Sequence, residues 1–165
     1  MELFSYDSPV AETRRPQRGF EAVEVGMRFE APAPATVSEA QIIGFAEQFD
    51  PQPLHLDPGA AHPLFTPPIA SGAHLLAICH RMAVDACFAE LGLIGGVGID
   101  RLRWYAPLEP GMTVETTVEV TNRRRSATRE GRGYVTVEVT GRTQADPPET
   151  LIEYTTTGVV ETDTA

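Results

Sequence analysis

The sequence predicts an α+β fold in which an antiparallel sheet curls around one long central helix. Three observations predict it. The stretch "ASGAHLLAICHRMAVDACFAELGL", residues 70–93, is the longest helical pattern in the chain, roughly six turns at about 3.6 residues each. Its residues Leu75, Leu76, Ile78, Cys79, Met82, Ala83, Ala86 and Cys87 make it apolar around most of its circumference, as in a helix wrapped by other structure. After residue 96 the period changes to two, cleanest in Val114, Thr116, Val118, Val120 and in Val135, Val137, Val139, the pattern of half-buried strands. With turns at "LEPGM" and "REGRG", these strands imply a four-strand antiparallel meander around the helix.

The elements follow in order. Residues 1–18 are polar, proline-containing and aperiodic, so they are expected to form a flexible N-terminal arm. Residues 19–165 are expected to form a single domain, a size that buries a real core without disulfides or metals. "VEVGMRF" predicts a short strand, and "APATVSEAQIIGFAEQF" a helix capped at Ser38 with Ile42, Phe45, Ala46 and Phe49 on one face. That helix delivers the chain to Asp50. "DPQPLHLDP" follows, and then a loop rich in Pro and Gly, "GAAHPLFTPPIASG". The long helix has a narrow polar stripe at His74, Arg81 and Asp85 and is expected to end at Gly92, Gly95 and Gly96. "VGIDRLRWYAP", "MTVETTVEVTNR", "GYVTVEVTGRT" and "TLIEYTTTGVV" are the strands, with Trp104 and Tyr105 expected in the core or at an interface. A sheet curled around one helix in this way is the hotdog fold.

The net charge of -10 argues against a nucleic-acid partner, which would require a basic face. All 13 basic residues are Arg, a composition bias with little functional content. No run of 18 apolar residues exists, and the first twenty residues lack the basic-then-apolar order of a signal peptide. A soluble, cytoplasmic protein that makes no use of a membrane is the expectation. Cys79 and Cys87, eight apart on one helix, are too far from each other to bond and read as reduced core residues.

Asp50 and Gln52 each precede a proline, which pushes both out of the α region and stiffens the segment carrying Asp50 and His55. A stiffly held acid and imidazole suit proton transfer; a solvated polar turn fits the same spacing. Asp50, His55, Asp57, His62 and His74 show no tight ligand repeat, so no metal is expected. At "PPIASG" the first turn of the long helix has N–H groups without helical acceptors. The Gly72 N–H is therefore a candidate oxyanion donor, and its missing side chain permits close approach of a ligand. Equally, Ser71 can be an N-cap and Gly72 a packing glycine. His74 and His80 fit structural histidines. The Arg run "NRRRSATREGR", including Arg124, reads either as a solvated hairpin tip or as a contact for ligand phosphates.

With Asp50, His55 and the glycine-led helix in view, the sequence resembles the MaoC-like dehydratase family, hotdog proteins that include (R)-specific enoyl-CoA hydratases. The family signature places a small residue before Asp-x-Asn-Pro-aliphatic-His and another small residue further on. Asp50, Pro53, Leu54, His55 and Ala61 stand in register with it, and the match continues through "PPIASG" and "GIDRLRWYAPLEPGM". Gln52 replaces the usual Asn, and Phe49 the small residue before the Asp. The resemblance implies that Asp50 and His55 act together on water. They would add it across a trans-2-enoyl-CoA or remove it from an (R)-3-hydroxyacyl-CoA, with the Gly72 N–H polarising the thioester carbonyl. It implies no cofactor, because CoA is part of the substrate, and a homodimer or dimer of dimers. Ser71, Gln52, Phe49, His80 and Arg124 are the candidate substrate-binding residues. A thioesterase with Asp50 directing water at the thioester, or an inactive acyl-thioester-binding protein, are the alternatives on the same scaffold.

Overall fold

The structure is a computed structural model and describes residues 19–57 and 68–162. The arm expected over 1–18 and much of the proline-rich loop, with Ala61 and His62, lie outside the described residues. A 3₁₀ turn, Phe20–Ala22, leads into β1 (Arg28–Glu30) and β2 (Ala35–Thr36), both paired antiparallel to β4. Helix α1 (Glu39–Phe49) begins where expected: the Ser38 hydroxyl accepts the Gln41 N–H, and the Gln41 side chain accepts the Ser38 N–H in return. This reciprocal cap satisfies two of the N–H groups that a helix start leaves open. Its inner face is Ile42, Phe45 and Ala46. Phe49 is not part of that face, being 65% exposed at the end of the helix.

After the one-turn helix α2 (Pro53–Leu56) comes the central helix α3 (Gly72–Ala83), which continues as a π-helical turn over Val84–Phe88. The regular α-helix is therefore shorter than the apolar pattern predicts. Gly92, at φ 65°, ends the segment, whereas Gly95 and Gly96 belong to β3 (Leu93–Trp104). Strands β4 (Thr113–Arg125), β5 (Arg132–Thr143) and β6 (Thr150–Glu161) form a meander. Their inward residues, Val114, Thr116, Val118, Val120, Val135, Val137 and Val139, are buried as the alternation predicts. They pack with α3 residues Leu75, Ile78, Cys79 and Met82 in one core, each full burial of a large apolar side chain stabilising by about 1.5–3 kcal/mol. Helix and sheet meet closely at Gly141, where a Cβ would come within 2.6 Å of Cys79 Sγ.

The sheet order is β1-β4-β5-β6-β3, which corrects the expected four-strand meander. β3 pairs with β6 rather than β4, so it forms the opposite edge. The segment "LEPGM" is not a hairpin turn for a physical reason. Residues 105–112 are tied elsewhere, Ala70 N–H donating to Leu108 O, Gly111 N–H to Val37 O and Val37 N–H to Met112 O. These bonds carry the chain across the helix start to the far side of the sheet. β3 is consequently open along one edge, with Ile94, Val97, Ile99, Trp104 and Tyr105 exposed rather than in the core. The architecture is the hotdog fold. Among the described residues no helix is long and apolar enough to cross a membrane.

Candidate active site

Helix α1 ends because Pro51 forbids Asp50 the α region. Asp50 caps it at φ -156°, ψ 67°, its N–H donating to Ala46 O at 2.9 Å. Gln52 is extended, and Pro53 opens α2 at a position where a missing N–H costs nothing. The segment is thus not wholly extended, and this single turn swings His55 back beside Asp50. His55 is buried, and its Nδ1 lies 2.8 Å from Ile69 O. A carbonyl can only accept, so Nδ1 carries the proton in neutral His55 and Nε2 presents a lone pair. That Nε2 is 3.5 Å from Asp50 Oδ2.

Two neutral donors hold the Asp50 carboxylate. Ser71 Oγ donates to Oδ2 at 2.6 Å, and Gln52 Nε2 donates to Oδ1 at 2.7 Å. The Ser71 bond, then the Gln52 bond, hold the Asp50 pKa below its usual value against the opposing effect of burial. Gln52, in the place of the family's Asn, reaches the carboxylate directly. An ionised carboxylate beside an imidazole lone pair presents two acceptors to one small volume, an arrangement suited to taking a proton from a hydroxylic group that faces both.

Ser71 also caps α3, accepting the Ala73 N–H at 3.2 Å. Its buried hydroxyl is therefore engaged with Asp50 and the helix start. Gly72 is the first residue of α3, so its N–H has no intrahelical acceptor and sits at the positive end of the helix dipole. Over it lies Trp104, whose Nε1–H donates to Gly72 O at 3.0 Å. A Cβ at residue 72 would come within 2.8 Å of the indole, so Gly is required here by a close approach. Sequence reasoning placed Trp104 in the core or an interface and missed this contact. The only signal was a single Trp in a strand, with nothing local linking it to residue 72.

The structure therefore brings Asp50, Gln52, His55, Ser71 and Gly72 together. Phe49 stands at the edge of this group, its ring centroid 4.9 Å from that of Phe45. His80 lies two helical turns further along α3. Arg124 is elsewhere. It stacks over the Tyr134 ring at 4.2 Å, and Tyr134 is seven residues along β5 from Gly141, which pairs with Ile152, itself opposite Trp104. Seven strand residues span roughly 23 Å. Neighbouring Arg123 donates to Phe20 O at 3.1 Å and to the carbonyls of Glu21 and Val23, and Arg125 pairs with Glu21, so this part of the Arg run clamps the 3₁₀ turn.

His74 is not on a polar stripe. It is buried and stacked on Phe45 with centroids 4.5 Å apart, and burial pushes its pKa down to about 4. Among the described residues no group of three or more His, Cys, Asp and Glu side chains is arranged to hold a metal ion; His62 lies outside them.

The chain is thus a hotdog protein with an aspartate and a histidine beside the open N-terminus of its central helix. Residues 20–143 match the model of the MaoC like domain, and the chain belongs to that family. It is similar to the crystal structure of the MaoC-like dehydratase from Rhodospirillum rubrum, with 35% identity and a TM-score of 0.79 over 90% of this chain and 99% of that one. The (R)-hydratase from A. caviae involved in PHA biosynthesis is 25% identical, with a TM-score of 0.63 over 86% of this chain and 98% of that one. The uncharacterized protein YdeM of Bacillus subtilis (strain 168) is 33% identical over 53% of this chain. That match spans 63% of the curated relative's own length.

Proposed function

We propose that the protein is a hydro-lyase that adds water to trans-2-enoyl-CoA or, in reverse, dehydrates (R)-3-hydroxyacyl-CoA. The observation that carries this reading is the Asp50 Oδ2 to His55 Nε2 approach of 3.5 Å at the start of the helix led by Gly72. In the hydration direction water is held between the carboxylate and Nε2. Its oxygen bonds to C3, one of its protons passes to the dyad, and a proton from the dyad is delivered to C2. Negative charge developing on the thioester oxygen is met by the Gly72 N–H and the helix dipole. Atoms balance with water alone. The reaction as proposed needs no cofactor or metal, since CoA is carried by the substrate.

The A. caviae hydratase supports this class of reaction, and the Gln52 bond to Asp50 supports an intact site despite the departure from Asn. A homodimer, or a dimer of dimers, joined through the open edge of β3 completes the proposal, with a cytoplasmic location. Asp50→Asn and His55→Ala are the test, measured by disappearance of the enoyl-thioester absorbance. Loss of at least about 100-fold in kcat is expected for each. Undiminished hydration in either variant overturns the dyad, and release of free CoA in place of hydration identifies a thioesterase.

A further inference from the structure

A half-buried stripe of the central helix runs beside its exposed residues Ala73 and Arg81, with Leu76 and Val84 still packed against the edge of the core. Gly72, Leu76, His80 and Val84 follow one another at four-residue intervals along it, and all four are half-buried while Leu75, Ile78, Cys79, Met82 and Ala83 are buried. Both ends of this stripe face the same strand. Gly72 meets Trp104 at one end of β3. His80 and Val84 line a cavity of about 360 Å³ with Leu93, Ile94, Gly95 and Gly96 from the other end. Gly72, beside Asp50 and His55, and His80, on the cavity, are thus on one stripe, and the eight residues between them cover about 12 Å of helix.

The cavity walls are mixed, with apolar Phe88, Val135 and Val137 beside polar His80, Thr156 and Thr157. The polar side chains differ in what they have left to offer. Thr156 Oγ1 donates to Gly98 O at 3.0 Å and Thr157 Oγ1 shares a 2.9 Å bond with Thr136 Oγ1. His80 has only its Nδ1 engaged, 3.4 Å from the buried Tyr154 hydroxyl. If Nδ1 carried the proton, the Tyr154 O–H would be left buried without an acceptor. The arrangement that satisfies both groups has Tyr154 donating to Nδ1 and the proton on Nε2. Nε2 has no partner among the described residues. His80 thus brings an uncommitted N–H donor to a cavity whose other polar side chains, Thr156 and Thr157, are already hydrogen-bonded.

We propose that His80 is a specificity-determining residue: the cavity receives the far end of the acyl chain, and the His80 imidazole donates to an oxygen carried there. The preferred substrates are then medium-length enoyl thioesters whose tail bears a hydroxyl or carbonyl group, favoured over plain chains of equal length. This rests on the hydratase reading above and adds the class of acyl chain. A pocket built around a polar donor rejects an apolar analogue because the donor loses its solvent and gains no partner.

The experiment compares hydration of trans-2-enoyl-CoAs of eight, ten and twelve carbons with their ω-hydroxy and ω-oxo counterparts. Wild type, His80→Leu and His80→Gln are measured, with thermal melts to verify folding. At the matching length the oxygenated chain is expected to be favoured about 10-fold or more in kcat/KM, through KM rather than kcat. His80→Leu collapses the ratio of kcat/KM between oxygenated and plain chains, and His80→Gln, which keeps an N–H donor, restores part of that ratio. Equal use of both chains at every length, or an unchanged ratio in folded His80→Leu, overturns the assignment and leaves the hydratase reading standing. Hydration of none of these substrates overturns both.

Discussion

Ser71 Oγ donates to Asp50 Oδ2 at 2.6 Å while accepting the Ala73 N–H at 3.2 Å, so one hydroxyl joins the acid of the site to the first turn of the central helix. The acid–base arm and the proposed oxyanion donor come from segments about twenty residues apart in sequence, and this bond sets their spacing.

Ser71→Ala should therefore change stability and pH dependence together. Loss of the cap costs about 1 kcal/mol, and loss of a hydrogen bond to a carboxylate adds about 1 kcal/mol or more, measurable by thermal denaturation at pH 7. Ser71 is the largest influence holding the Asp50 pKa down. Removing it raises that pKa, so the acid limb of the kcat/KM profile should move to higher pH. The associated stability follows the same sign. Because the folded pKa lies below the ordinary value of 3.8, the contribution is present above that pH and is lost as pH falls through the lower folded value. An acid limb that stays in place would show that Asp50 is not the group that titrates.

Trp104 provides a second handle on the helix start. Trp104→Phe keeps a ring over Gly72 but deletes the Nε1–H bond to its carbonyl. A loss of about 3- to 10-fold in kcat is expected from the bond alone, with the fold intact by circular dichroism. Gly72→Ala is more severe, since its Cβ would press into the indole at 2.8 Å; hydration should fall by more than in Trp104→Phe. An active Gly72→Ala would argue against a close approach of the thioester to residue 72.

The features legible in the sequence are those decided locally. Ser38 and Gln41 make a capping box three residues apart, and the inward valines of β4 and β5 are marked by their own alternation. Pairing of β3 with β6 is not local. It depends on where residues 105–112 are anchored, and those anchors, Val37 and Ala70, are far away in sequence. His74 was misplaced because a helix apolar on nearly all sides gives no contrast from which to read its wet face. Arg81 and Asp85 of the expected stripe do lie at the surface, joined as an ion pair, while Ala73 rather than His74 is exposed at the helix start. In the site, the proline-braced Asp50 and His55 were readable as a stiff pair. The third partner of Asp50, Ser71, was readable only as a cap, since a hydroxyl's acceptor across 21 residues has no sequence signature.

The open edge of β3 makes the proposed dimer testable. β3 has a neighbour on one side only, and Ile94, Val97 and Ile99 are 51%, 59% and 43% exposed. An edge so long and so apolar invites pairing with a second chain. Val97→Lys with Ile99→Lys places charges along it, and should convert the dimer to a monomer in sedimentation velocity. Wild type that sediments as a monomer at micromolar concentration removes the dimer from the proposal.

Burial of His74 makes stability depend on pH on the acid side. Its folded pKa is pushed down to about 4 from the ordinary value of 6.5, so the unfolded chain binds a proton that the folded chain refuses. The contribution is neutral above pH 6.5, and stability falls as pH drops from there toward 4, by about 2 kcal/mol at pH 5 and about 3 kcal/mol once both states are protonated. Asp50 does not account for this window, because its depressed pKa acts only below about 4. His74→Phe preserves an aromatic ring against Phe45 and carries no titrating group. Melts of both proteins from pH 7.5 to 5 should show the wild type losing more Tm than the variant. Parallel curves would mean that His74 is protonated in the folded protein and stays beside Phe45 as a cation.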